Sequence, residues 1–152
     1  MKDTFNLILN SQNSTNRTGS LNSYTYYINL SSVLPEMNKT LPQTFNVTWT
    51  LKTVNTSTNQ TQSALVDINF GQTNTCTQEN QPSTIIGYIY PVPVQQSSTT
   101  WNYYLTATPY DNLVTTISYP VNNFITVKFS DFNSGTAFTM LNYVLILNFE
   151  AV

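Results

Sequence analysis

The sequence predicts an all-β protein, an antiparallel β-sandwich of eight or nine strands. Three observations point there. Apolar and polar residues alternate with a period of two along most of the chain, and no segment carries a helical stripe. Val, Ile, Thr, Tyr and Phe fill the alternating runs, and these side chains suit a pleated, half-buried surface. Turn residues, chiefly Pro, Asn and Asp, punctuate the runs every eight to twenty residues or so.

Taken in order, "TFNLILN" (4–10) places Phe5, Leu7 and Leu9 on one face. "SYTYYINL" (23–30) does the same with Tyr24, Tyr26, Ile28 and Leu30. The clearest run is "TFNVTWTLKTV" (44–54): Phe45, Val47, Trp49 and Leu51 oppose Asn46, Thr48, Thr50 and Lys52, one dry face against one wet. "ALVDINF" (64–70) sets Val66, Ile68 and Phe70 against Leu65, Asp67 and Asn69. "TIIGYIY" (84–90), "WNYYLTA" (101–107) and "LVTTISY" (113–119) follow. Two closing strands, "NNFITVKFSD" (122–131) and "NYVLILNFEA" (142–151), point Ile125, Val127 and Phe129, then Tyr143, Leu145, Leu147 and Phe149, to one side. Trp49, Leu51, Val127, Leu145 and Leu147 are expected in the core.

Between them, Pro35 and Pro42 bracket a loop, "TNTCTQENQPS" (73–83) and "PVPVQQSST" (91–99) read as separators, and "PYDN" and "YPVNN" as proline-led turns. Gly135 is the expected left-handed turn position in "DFNSGTAFTM". There is no internal repeat and no domain boundary, so residues 1–152 form one domain. An immunoglobulin-like sandwich and a jelly roll both fit this many strands. Long separators after the fourth and fifth strands, and the lack of paired cysteines, favour a single jelly roll.

Composition excludes several functions. Charged residues make up 8% of the chain, against roughly 25% in an average soluble domain. Ser, Thr, Asn and Gln supply about two in five residues, a surface that is solvated but lacks the repulsion that keeps monomers apart. Lys2, Lys39, Lys52, Lys128 and Arg17 are too dispersed, in a chain of net charge −2, to neutralise a run of phosphates, so no direct nucleic-acid partner is expected. Cys76 is the one thiol and there is no histidine, which leaves no internal disulfide, no zinc site and no imidazole base. The carboxylates Asp3, Glu36, Asp67, Glu79, Asp111, Asp131 and Glu150 show no spacing that opposes two of them across a cleft, as a glycosidase needs. Asp111 and Asp131 read as turn makers. No catalytic, cofactor-binding or metal site is expected, and no enzyme.

"MKDTFNLILN" lacks the form of a signal peptide, and no stretch reaches the ~18 apolar residues of a membrane span. Synthesis in a reducing cytosol is expected. N-x-S/T sequons at Asn13, Asn16, Asn29, Asn38, Asn46, Asn55 and Asn59 follow from a composition rich in Asn, Ser and Thr. Tyr27, Tyr88, Tyr90 and Tyr104 fall opposite their strands' apolar stripes, which marks a second face that meets a neighbour or, as the alternative, a ligand platform.

"FNLILNSQN", "GSLNSYTYYINLSSVLP" and "FNVTWTLKTV", with "STIIGYIYPV", "DNLVTTISYPVNNFITVKFSD" and "NYVLILNFE", resemble the small single jelly-roll capsid proteins of large DNA viruses, virophages and polinton-like viruses. The resemblance implies a minor capsid or penton vertex protein, assembled in the host cytoplasm into the virion. It implies no cofactor, and partners that are other capsid proteins and copies of itself, with a pentamer favoured. The competing class is a lectin-like or adhesin-type binding module on the same sandwich.

Overall fold

The computed structural model describes residues 4–13, 17–20, 23–28, 43–53, 63–69, 77–78, 81–82, 84–99, 101–109, 113–117, 124–138, 140 and 142–152. The described elements are twelve strands, with no helix among the described residues. They are β1 (Thr4–Asn10), β2 (Arg17–Ser20), β3 (Ser23–Tyr27), β4 (Gln43–Thr53), β5 (Ala64–Asn69), β6 (Thr77–Gln78), β7 (Gln81–Pro82), β8 (Ile85–Gln95), β9 (Trp101–Pro109), β10 (Val114–Ile117), β11 (Phe124–Asp131) and β12 (Tyr143–Ala151). All nine expected strands are present. The three additions, β2, β6 and β7, are short.

One sheet runs β1-β12-β4-β10 and the other β2-β3-β11-β5-β8-β9, while β6 and β7 pair apart. Every pairing is antiparallel. The partners are nested: β1 with β12, β3 with β11, β4 with β10, and β5 with β8. That nesting is the wrapping of a jelly roll, a long set of paired strands rolled so that its halves face each other.

Strand parity decides what the two sheets enclose. In the four-stranded sheet the rows Leu7–Leu147–Trp49 and Leu9–Leu145–Leu51 run straight across β1, β12 and β4. From the facing sheet Val66, Ile68, Ile125, Val127 and Phe129 point inward, and all of these residues are buried. The five expected core residues are therefore in the core. Aromatic rings close the core at both ends. Phe5 stacks on Phe149 at 4.4 Å, with Phe45 edge-on to both. At the other end Phe129 meets Tyr143 edge-on at 5.0 Å, and the Tyr26 hydroxyl donates to that of Tyr143 at 2.8 Å.

A β-bulge ties the sheets together. Val66 faces Gly87 but Asp67 faces Ile85, so Ile86 is an extra residue in β8. The insertion flips parity, which is why Ile86 and Ile89, three apart, are both buried. Ile86 has no partner opposite it in β5, and its carbonyl accepts the Trp49 indole N–H at 2.8 Å from the other sheet. Gly87 beside it adopts φ = 153°, a backbone that glycine tolerates best.

One separator is corrected. "PVPV" is not a loop: β8 continues through Pro91 and Pro93 to Gln95, paired along its length with β9. Proline is tolerated where its missing N–H faces no ladder partner. Two prolines spaced by two put both nitrogens on the same edge. β5 pairs with β8 only up to Ile89, so among the described residues that edge of β8 is unpaired from Tyr90 onward. Cys76 and the loop 32–42 lie outside the described residues.

Replacing Trp49 with Phe should leave the Ile86 carbonyl buried and unpaired, at about 1–3 kcal/mol beyond the lost ring volume. Urea denaturation checks this, and a loss under about 0.5 kcal/mol would mean that another donor reaches the carbonyl.

Candidate interaction surface

Catalytic chemistry finds little footing among the described residues. Asp67 lies opposite Lys128 on the outer face of the six-stranded sheet, an opposite-charge cross-strand pair. Asp131 lies opposite Ala64, three positions along β5, and so on the other face. The two acids therefore do not converge. Glu150 sits at the end of β12 opposite Thr4 and Asn46. Asp3, Glu36, Glu79 and Asp111 lie outside the described residues. No three metal-ligating side chains gather among the described residues.

Asp131 is a turn maker, as its sequence context implies. Its Oδ1 accepts from the backbone N–H groups of Ser134 at 2.8 Å and Asn133 at 3.0 Å, and from the Ser134 hydroxyl at 2.8 Å. Its carbonyl takes the N–H of Gly135, which stands at φ = 68°, the left-handed position expected of it. Above all the Ser134 backbone N–H, then its hydroxyl, hold the carboxyl below the usual aspartate range.

Between the sheets a cavity of about 20 Å³ is lined by Val47, Ile68, Ile86, Leu113, Thr115, Leu147 and Phe149. Ligand pockets run to about 300–1,000 Å³, so this one admits a water at most. Thr115 Oγ1 is buried there with no hydrogen-bond partner among the described residues.

The outer face of the six-stranded sheet is more informative. Tyr27, Tyr88, Tyr90 and Tyr104 all stand on it, as their parity implies. Tyr88 lies 6.2 Å from Tyr90 and 6.0 Å from Phe132, ring centre to ring centre. On the neighbouring strand Tyr104 faces Val92, one cross-strand step from Tyr90. Tyr90, Tyr104, Val94 and Phe132 are exposed. Thr106 and Thr108 complete this face of β9. From Asn80 to Tyr110 the chain has no charged residue.

Tyr27 belongs elsewhere. It pairs with Phe124, both rings in water, at the far end of β11 from Ser130, which faces Leu65 beside Tyr88. Six residues along a strand span about 20 Å, so the four tyrosines form two separate patches. Phe124 and Phe132 are additions to the sequence reading. Phe124 was legible from the parity of Ile125, Val127 and Phe129, whereas Phe132 sits in a turn where parity carries no information.

The four-stranded sheet has a smaller aliphatic spot, with Ile8 67% exposed and opposite Ile146. Among the described residues no helix is long and apolar enough to cross a membrane. Compared with protein-family models, curated proteins and solved structures, the chain matches none.

Two outcomes follow. Thr115→Val removes a buried unpartnered hydroxyl and should stabilise the fold by about 1 kcal/mol, raising the melting temperature by about 2–4 °C. A lower melting temperature would show that the hydroxyl has a partner. The lowered pKa of Asp131 contributes stability that is complete above the ordinary aspartate range and is lost as pH falls through the depressed folded value. Asp131→Asn keeps the turn's acceptor but should flatten that part of the acid limb, read as the urea midpoint followed from neutral pH into acid.

Proposed function

We propose that the chain is a structural component of an icosahedral viral capsid, a minor capsid or penton vertex protein that acts by subunit packing. The observation that carries this is a jelly roll whose outer faces leave Ile8, Tyr27, Tyr90, Tyr104 and Phe124 exposed, in a chain only 8% charged. Jelly rolls build viral capsid and lectin domains alike, so the fold alone does not choose between them. The surface does. A free monomer with this little charge is a poor colloid, whereas a subunit covered by its neighbours needs little repulsion. The resemblance of the strand runs to single jelly-roll capsid proteins supports the same reading. Its partners are then other capsid proteins and further copies of itself, five in a ring, assembled in the host cytoplasm into the virion without a cofactor.

One observation favours a second reading, a lectin-like or adhesin-type module. The Tyr88, Tyr90 and Phe132 cluster offers ring faces on which a sugar can stack.

Contacts between subunits of this composition rest on shape, uncharged hydrogen bonds and aromatic rings, which salt hardly screens. A homo-oligomer, a pentamer first, should persist in sodium chloride at roughly 1 M, about a 3 Å screening length. Light scattering at low and high salt measures it. A monomer at every concentration that binds a glycan array would favour the module instead.

A further inference from the structure

Two sheets have four outer edges, and the chain treats them unequally. An edge strand presents unpaired N–H and C=O groups to any strand that approaches, so a monomer keeps its edges short, charged, bulged or proline-blocked. β2 and β10 are four residues each, too short to template much pairing. The distal edge of β8 carries Pro91 and Pro93. β9 and β1 have no comparable protection among the described residues. β9 runs nine residues, Trp101–Pro109, with no charge and no proline before its last residue. β1 runs seven, Thr4–Asn10, with neither.

The prolines also fix what β9 offers. Pro91 faces Leu105 and Pro93 faces Tyr103. With no N–H on the proline, these are non-hydrogen-bonded pairs of the antiparallel ladder. Leu105 and Tyr103, and by the same alternation Ala107, then turn their N–H and C=O groups away from β8 to the outer edge. Nothing among the described residues forms a strand pair there.

The two open edges lie on opposite flanks. Tyr143 of β12 meets Tyr26 of β3 and Phe129 of β11, so β12 sits over the β3 side. Trp49 of β4 reaches Ile86 of β8, and β4 also packs against β9. β1, outside β12, is therefore on one flank and β9 on the other. Two edges on opposite flanks, each with its own N–H and C=O groups, suit a head-to-tail contact, which forms a ring when the rotation between copies closes. The partner follows from charge. Nothing between Asn80 and Tyr110 can pair with an ionic ligand, and β1 is equally neutral.

We propose that β9 of one subunit pairs with β1 of a second copy of this chain, joining the six-stranded sheet of one to the four-stranded sheet of the next. This rests on the oligomeric reading above and names its contact. The test places a lysine at an exposed, outward-facing position of each edge, Thr106→Lys in β9 and Ile8→Lys in β1, with Thr18→Lys in β2 as the control. Mass is read by light scattering, and circular dichroism melts report folding. Each edge variant should yield a folded monomer at concentrations where wild type and the control are oligomeric. A wild-type oligomer that survives both edge variants overturns the pairing and leaves the capsid reading standing. Loss with only one of the two edge variants also overturns it, because a contact of one edge with itself is not head-to-tail. Should an edge variant lose its cooperative melt, Tyr104→Lys or Asn6→Lys replaces it, under the same expectations. A monomeric wild type removes both this inference and the reading beneath it.

Discussion

The hydrogen bond from the Trp49 indole to the Ile86 carbonyl holds the sandwich in one arrangement. Hydrophobic burial alone is non-directional and would let two greasy sheets slide or rotate on each other. A buried donor and a buried carbonyl with no partner opposite it in β5 remove that freedom, because either left alone is costly. The bulge that leaves Ile86 without a partner in β5 also reverses parity along β8. That reversal is what turns Tyr88 and Tyr90 outward while Ile86 and Ile89 both stay inside. One inserted residue thus sets both the docking of the sheets and the content of the outer face.

Much of this could be read from the sequence where strands have one wet and one dry face. "FNVTWTL" and "YVLILNF" gave their inward residues directly, since a one-residue slip would expose the whole set. Parity also exposed Tyr27, Tyr90 and Tyr104, and could have exposed Phe124. At β8 it placed Tyr88 and Tyr90 but missed the Ile86–Ile89 spacing and the strand's length, for two physical reasons. A bulge makes alternation skip a beat, so "TIIGYIY" has no single phase. Prolines in an edge-facing register look like a loop unless the neighbouring strand is known. The pairing partners were legible only as a topology class, because sequence periodicity says which face is buried and not which strand lies alongside. The isolated Thr115 hydroxyl had no signal at all, since threonine is ordinary in a strand on either face.

The surface chemistry is set by what the chain lacks. With 8% charged residues, solubility and partner choice rest on amides, hydroxyls and a few rings. Such surfaces have weak long-range steering, so encounters depend on fit at short range. Two aromatic patches about 20 Å apart on one sheet, and two open edges on opposite flanks, offer that fit in several directions at once. A protein held by neighbours on several sides uses such a distribution better than one built around a single pocket.

The nesting of strands has a consequence for how the molecule is made. β12, the last of the described strands, lies between β1 and β4, and supplies Leu145 and Leu147 to the rows that cross that sheet. While the ribosome is still working, β1 and β4 have no common partner and their apolar faces are uncovered. Contacts between distant parts of a chain form slowly, and unpaired edges are prone to aggregate in the interval. The inner face of the four-stranded sheet therefore closes only once β12 has joined β1 and β4, and until then their apolar faces are prone to aggregate.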